Sequence, residues 1–490
     1  MTSELRTIGR HTAVYGVGIV ASKLVSFIML PIYTRYLTTA DYGVLELLST
    51  TIDVIGMLAG VSLAAGVFKH YAEIHDDLAR RELMSTVALG TTGLALVVAI
   101  MGFAASPSLT HLLFGAKVTS LFFRLFFVIY FFQSVCTLAL MLIQVEERSR
   151  MFVTVNVAKL IVTLSLTIWL VVGRRLGIRG VLLGNLISTA AMSFGLGIYM
   201  FRRLGVHFSI ERFRSLVRFG TPIAVWTVGS FILTFSDRYF LNQYSGPSAV
   251  GIYSLAYKFS FLLSAFAAAP FSQIWEPRRF AIANQLDAPA IYRRAFLYLN
   301  LAMFIGSAAI VLFVKDVLEI MAAPSFLPAY RLVPLLLIVT IIQQWTGYCN
   351  LGLYLKNATN LYGWSAVIGV LTALTLNTML IPRYGMFGAA WATAAAYTVR
   401  FVPVYMLAQA KYHVDYPWSK VAALGAALAV IWGVRFFADG LNLTLSIALS
   451  FTLFISLAWF IYSRILDIDE KAFVRQLIRR PFATAAAPAA

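Results

Sequence analysis

The sequence predicts an all-α polytopic membrane protein of about fourteen transmembrane helices, and three observations carry that prediction. Of 490 residues, 60% are apolar and only 12% charged, whereas soluble proteins are about 45–50% apolar and about 25% charged. Runs of about 20 apolar residues, the length that spans a hydrocarbon core of about 30 Å, recur from end to end. Lys and Arg gather in alternate connections between those runs. With a mean hydropathy of +0.81, the chain cannot cover a water-facing surface. Lipid must be its solvent, and helices are how such a chain satisfies its own backbone.

The runs fall at 11–33, 44–66, 83–105, 118–143, 152–173, 179–201, 219–241, 250–274, 295–314, 330–355, 361–381, 386–409, 419–438 and 443–463. The first is too long for a cleaved signal peptide and lacks a small-residue cleavage site, so it counts as helix one. Gly56, Gly60, Pro270 and Pro403 lie inside runs, where neighbouring helices can satisfy freed backbone groups. The connections, longest at 202–218 and 275–294, are too short for a catalytic domain. They hold no P-loop, zinc-protease or dinucleotide-binding pattern.

Orientation follows from the cations. The net charge of +18 comes from 39 Lys+Arg against 21 Asp+Glu, an excess that belongs to cytoplasmic loops of a membrane protein rather than to a nucleic-acid site. With the N-terminus inside, 24 of the cations fall on the cytoplasmic side and 11 on the other. That bias places both termini in the cytoplasm, as an even number of helices requires. Cys136 and Cys349 lie within apolar runs and read as buried thiols. With two Cys and six scattered His, no metal or cofactor site is expected.

The chain also repeats. At a shift of 208 residues, Tyr42-Gly43-Val44 meets Val250-Gly251-Ile252. Leu176-Gly177-Ile178-Arg179-Gly180-Val181 likewise meets Tyr384-Gly385-Met386-Phe387-Gly388-Ala389, and Arg148 meets Lys356. Arg35-Tyr36-Leu37 matches Arg238-Tyr239-Phe240 at 203, as though five residues were inserted near Ser245-Gly246-Pro247-Ser248. Six helices per unit return the chain to the same side, so the copies are parallel and related by an axis along the membrane normal. The expected organisation is an N-lobe over 1–205 with helices 1–6 and a C-lobe over 206–410 with helices 7–12. Helices 13–14 follow over 411–463, then a cytoplasmic tail over 464–490. Two six-helix lobes around a central cavity is an alternating-access architecture.

Charges inside the membrane are costly, so each should face a cavity or a partner. Lys23 sits mid-way along helix one and Lys258 in helix eight. Glu46 and Asp53 lie seven residues apart on one face of helix two. Lys159 in helix five and Tyr397 with Arg400 in helix twelve are further candidates for lining a cavity. Lys159 and Arg400 lie near enough to a cytoplasmic helix end to snorkel instead. Glu46 could equally sit at the outer interface, and Asp237 with Arg238 reads as an ordinary helix-end pair. Fixed cations in a low-dielectric hollow suit an anionic ligand, above all phosphate or diphosphate. The carboxylates Asp53, Glu46 and Asp237 either hold those cations charged in the empty site or carry a coupled proton or sodium ion.

Several segments carry a family likeness. Leu30-Pro31-Ile32-Tyr33-Thr34-Arg35-Tyr36-Leu37 followed by Asp41-Tyr42-Gly43-Val44 resembles the first helix pair of the polysaccharide transporter branch of the multidrug/oligosaccharidyl-lipid/polysaccharide (MOP) exporter superfamily. Asp237-Arg238-Tyr239-Phe240-Leu241, then Val250-Gly251-Ile252-Tyr253 and Lys258, resembles the segment opening the second half. Tyr384-Gly385-Met386-Phe387-Gly388-Ala389-Ala390 resembles the turn between helices eleven and twelve. The resemblance implies a fold like that of the drug antiporters and lipid II flippases. It implies a flippase for undecaprenyl-diphosphate-linked oligosaccharide in the bacterial inner membrane, feeding O-antigen, capsule or exopolysaccharide assembly. Lys23, Lys258, Arg35 and Arg238 are then the substrate-binding positions. A polysaccharide polymerase and other assembly proteins are implied partners, and no nucleic acid is.

Two rivals remain in view. A drug/cation antiporter of the same superfamily would want a net anionic cavity, whereas here the lysines balance the carboxylates. An integral-membrane polysaccharide polymerase or ligase would need a long external loop rich in Arg and His, which this chain lacks. The additional helices 13–14 resemble those of lipid II flippases, where they form a groove for the lipid tail. The arginine-rich first helix of that group is missing.

Overall fold

In the computed structural model, the described residues are 29–57, 67, 70–71, 74, 76–115, 118–468 and 470–471. They are almost wholly helical and contain no strand. The helices are α1 Leu30–Tyr36, α2 Thr39–Gly56, α3 Asp77–Phe114, α4 Leu121–Val145, α5 Ser149–Ile168 and α6 Gly177–Leu204. They continue as α7 Ile210–Phe235, α8 Asp237–Ser245, α9 Pro247–Leu263, α10 Ala269–Ala281 and α11 Ala288–Met321. The last are α12 Val333–Tyr348, α13 Leu351–Leu355, α14 Thr359–Lys411, α15 Trp418–Phe437 and α16 Leu443–Phe460. Among the described residues, nine helices are long and apolar enough to cross a membrane, or ten if the bent pair Pro324–Arg331 and Val333–Leu355 forms one span. The chain is thus a multi-pass membrane protein. The expected total of fourteen is not reached among these residues. Most of the first run lies outside them, α2 carries three charges in 18 residues, and Thr359–Lys411 counts once although Gly385 divides it.

Local chemistry sets the helix boundaries. Thr38 caps α2: its hydroxyl accepts from the Asp41 N–H at 3.1 Å, and Asp41 accepts from the Thr38 N–H at 3.1 Å, a reciprocal capping box. Gly177 and Gly385 both adopt positive φ, +56° and +54°, which residues with a Cβ rarely tolerate. They are 208 residues apart. Gly385 breaks the 53-residue α14 into two spans where the expected runs divide, and Gly177 opens α6 at the equivalent point. The connections 202–218 and 275–294 are shorter than the sequence suggested. Helices α6, α7, α10 and α11 extend into them, because the polar residues there continue the helices past the apolar runs.

The repeat is visible as a reciprocal interface. A Cβ added to Gly43 would collide with the Pro247 carbonyl and lie 2.9 Å from the Gly251 nitrogen. One added to Gly251 would collide with the Thr39 carbonyl and lie 3.1 Å from the Gly43 nitrogen. Thr39 and Pro247, like Gly43 and Gly251, are 208 apart, so each contact is the other's image. Contacts ascend together along both helices, from Thr39 with Ser248 (2.6 Å) to Glu46 with Lys258 (3.0 Å), so α2 and α9 run parallel. The Thr34 hydroxyl donates to the Met321 carbonyl at 3.3 Å, and the Asn242 amide donates to the Leu113 carbonyl. Both donors and both acceptors again differ by 208.

This register corrects one expectation. The loop before α9 holds no five-residue insertion, and Arg35 is not the image of Arg238. At 208 it aligns with Gln243, because the α1 and α8 segments keep the same shift as the glycines.

Candidate functional site

Where α2 and α9 cross, two small residues let the backbones touch, and the first long side chains beyond them meet. Glu46 Oε1 lies 3.0 Å from Lys258 Nζ, both about a quarter exposed. The ammonium also sits 4.9 Å from the centre of the Tyr42 ring. A charge pair at this depth is stable only because each partner neutralises the other, and the partial exposure leaves both open to exchange partners. On the next turn of α2, Thr51 shares a 2.9 Å hydrogen bond with the Tyr239 hydroxyl of α8. Glu46 therefore belongs to the boundary between the halves.

Arg238 and Asp237 are placed differently. They are 2% and 1% exposed and 3.0 Å apart. Asp237 also accepts from the Tyr253 hydroxyl at 2.6 Å and the Thr393 hydroxyl at 3.2 Å. The guanidinium is caged by the rings of Phe235, Tyr253 and Tyr257, at 4.4–5.6 Å. Cation–π contacts and the adjacent carboxylate compensate its burial. In this conformation Arg238 has no open face toward a ligand.

The other candidates spread over the two halves. Arg35 is exposed at the end of α1 and donates to the Ile320 carbonyl at 2.7 Å, tying α1 to α11. Arg400 is buried with its guanidinium 5.2 Å from the Tyr362 ring, while the Tyr397 hydroxyl pairs with Thr234 at 2.8 Å. Lys159 donates to Gln133 Oε1 at 2.6 Å. Asp53 lines a hollow between α2, α3 and α4. Lys23 lies outside the described residues. The structure thus joins Lys258 with Glu46 and Asp237 with Arg238, and of the three expected cations among the described residues it ties Arg35 elsewhere, to the Ile320 carbonyl.

Against known proteins, the sequence profile described as "Polysaccharide biosynthesis protein" matches residues 8–283, more than half of the chain. The chain belongs to the polysaccharide biosynthesis protein family. A stretch of 215 residues is 24% identical to an uncharacterized membrane protein of Methanocaldococcus jannaschii; it covers 41% of this chain and 40% of that one. The chain therefore spans less than half the length of that curated relative. Among solved structures, the fold is similar to the lipid II flippase MurJ in an inward closed conformation. There the TM-score is 0.73 at 14% identity, over 95% of this chain and 100% of that one. It is also similar to an inward-facing MATE-family multidrug resistance transporter of the MOP superfamily, with TM-score 0.61, 14% identity, and 82% and 96% covered. A MOP superfamily transporter from Pyrococcus furiosus gives 0.52 at 13% identity, with 85% and 96% covered.

This member of the polysaccharide biosynthesis protein family thus has the fold of MOP-superfamily transporters, all-helical with two parallel halves. Sequence reasoning missed two buried cations. Arg435, counted as a loop charge, pairs with Asp316 at 3.1 Å and donates to Ser446 at 2.7 Å. Arg279, also counted as a loop charge, pairs with Glu276 at 2.8 Å and donates to Asn350 at 3.1 Å. A carboxylate on the same turn signalled Arg279. The partner of Arg435 is 119 residues away and left no local signal.

Proposed function

We propose that the protein is a flippase that carries an undecaprenyl-diphosphate-linked oligosaccharide across the bacterial inner membrane by alternating access, for O-antigen, capsule or exopolysaccharide assembly. The observation that carries this reading is the Glu46–Lys258 pair at the crossing of two symmetry-related helices, one from each half. A diphosphate entering between the halves offers Lys258 a stronger, doubly charged acceptor than Glu46. Exchange of that partner removes a tie between α2 and α9, so binding and rocking of the halves share one event. Lys23 is the second proposed contact for the diphosphate, and Arg35 at the end of α1 is a third that becomes free when α1 leaves Ile320. Arg238 supports the site from behind, with Asp237 balancing its charge. The family and the likeness to a lipid II flippase support the substrate class. The Lys and Arg bias supports cytoplasmic termini.

The test is deletion of the gene with analysis of the undecaprenyl-linked glycan pool, sided with an external probe. Complete lipid-linked repeat units trapped on the cytoplasmic face, with loss of surface polysaccharide, are expected. Exported single units without polymer would point to a polymerase. An unchanged pool with new sensitivity to cationic drugs would assign the chain to the antiporters.

A further inference from the structure

Beyond the Glu46–Lys258 pair, α2 borders a second hollow. Glu46, Ser49, Asp53 and Gly56 follow at three- and four-residue steps and form one stripe, which puts Asp53 about 10 Å along the axis from Glu46. Around Asp53 lies a cavity of about 430 Å³ whose polar wall includes Ser49, Tyr130, Gln133 and Thr137, with Phe126 among its apolar residues. That volume is in the range of small-molecule sites. Gln133 Oε1 accepts from Lys159 Nζ at 2.6 Å, and Gln133 Nε2 donates to Thr137 at 3.4 Å.

Among the described residues, neither Asp53 nor Lys159 has an ion-pair partner, although both lie on helices of the membrane domain. An unpaired charge within the helix bundle of a membrane protein is costly and marks function. A phosphate in this hollow would be repelled by Asp53, and an organic cation would meet repulsion from the Lys159 ammonium, 2.6 Å from the Gln133 oxygen of the wall. An apolar guest would leave the Asp53 carboxylate without a partner. A sugar ring offers hydroxyls that both donate and accept, and C–H faces that pack on aromatic rings. It alone among these gives the Asp53 carboxylate donors and the Tyr130 ring a face to pack on.

We propose that this cavity is the glycan subsite of the transporter: Asp53 accepts from sugar hydroxyls, Ser49, Gln133 and Thr137 complete the polar wall with Lys159 tethering Gln133, and Tyr130 packs against the ring. The inference rests on the flippase reading, and the axial spacing lets a sugar occupy this hollow while its diphosphate stays at Lys258. The test uses full-length protein in detergent with two probes, the lipid-free repeat-unit oligosaccharide and inorganic diphosphate. Binding is read by calorimetry and folding by thermal unfolding. Asp53→Asn and Gln133→Ala should weaken oligosaccharide binding by about tenfold or more, the loss expected for a hydrogen bond at a charged or buried group, while diphosphate binding stays unchanged. Equal weakening of both probes, or of neither, overturns the subsite. Diphosphate binding without oligosaccharide binding in the unaltered protein overturns the subsite but leaves the flippase reading standing. Failure of both probes to bind sinks the two together. An Asp53→Asn protein that binds oligosaccharide normally but transports with altered ion dependence would make Asp53 a coupling group and end the proposal.

Discussion

Gly43 and Gly251 occupy the same position in the two repeats, and each presses against the backbone that precedes the other, so neither can carry a Cβ without moving a helix. The crossing therefore depends on hydrogen at both positions, as close helix packing in membranes commonly does. A leucine at either one overpacks the contact at a cost of about 1–3 kcal/mol, which shifts a two-state equilibrium by about 5- to 150-fold. Gly43→Leu and Gly251→Leu should each favour the conformation in which α2 and α9 are apart. The readout is disulfide formation between cysteines placed at Thr39 and Ser248, whose hydroxyls are 2.6 Å apart. Cross-linking should be efficient in the parent and lost in both glycine variants. Unchanged cross-linking would mean that the crossing tolerates side chains.

Thr34 and Asn242 form the second reciprocal tie, each to a carbonyl of the opposite half. A typical net hydrogen bond contributes about 0.5–1.5 kcal/mol. Thr34→Val and Asn242→Leu should each lower the same cross-linking yield by a modest and similar amount. The double variant should lower it by more than the sum if the two ties break in one cooperative opening. Strict additivity would show that the two ends of the interface open independently.

Glu46 and Lys258 separate a structural role from a transport role. Lys258→Ala should cut export by about tenfold or more if charge-assisted bonds to the substrate are lost. The exchange Glu46→Lys with Lys258→Glu keeps an ion pair at the crossing. If the pair only holds the helices, the exchanged protein should export normally. If Lys258 meets the diphosphate, protein abundance should recover while export does not. Normal export by both Lys23→Ala and Lys258→Ala, at normal abundance, would remove these lysines from the site.

The repeat was legible because glycine positions need no partner to be recognised: Gly43, Gly177, Gly251 and Gly385 hold one spacing and answer one backbone requirement each. The fold class followed from apolar length. That carboxylates balance the cations was legible; which carboxylate meets which cation across the halves was not. Nothing near Lys258 in sequence points to Glu46, 212 residues earlier in the chain, because the contact exists only once both repeats are in place. Arg238 read as half of a helix-end pair with Asp237 and became a substrate-binding candidate only through the family resemblance, and three aromatic rings enclose it. Gln133 left a trace that could have been followed: it is the one amide side chain in the run at 118–143, next to Tyr130 and Thr137 on one helical face.

Asp237 and Arg238 predict a contrast between breaking a buried pair and replacing it. Asp237→Ala leaves the guanidinium without its carboxylate in a closed aromatic cage and should destabilise the fold by about 3–5 kcal/mol. It also strips partners from Tyr253 and Thr393. Joint replacement, Asp237→Asn with Arg238→Met, removes both charges and should melt much closer to the parent than Asp237→Ala does. Fluorescence-monitored thermal unfolding in detergent distinguishes the two. Equal losses would mean that packing in the cage, rather than charge balance, sets the cost.

Asp439 lies in the short connection between α15 and α16, outside the membrane-spanning segments, and predicts how stability responds to acid. Partial burial works against its ionised form. The Tyr330 hydroxyl and the Lys315 ammonium, 2.9 Å from Oδ1, outweigh that and hold the carboxyl below its ordinary value. A carboxylate with a lowered folded value stabilises the native state above its unfolded pKa of about 3.9, and that contribution disappears as pH falls from there through the folded value. The tie joins α15 to the ends of α11 and of the segment Pro324–Arg331, so acid should loosen the C-terminal pair of helices from the second half. Melting temperature should therefore drop as pH falls below about 4, and Asp439→Asn should start lower at neutral pH and lose less over that fall. A variant whose melting curve falls in parallel with the parent would place the acid-sensitive group elsewhere. The obvious second site is Asp467, whose carboxyl is held low by a 2.8 Å hydrogen bond from Lys420.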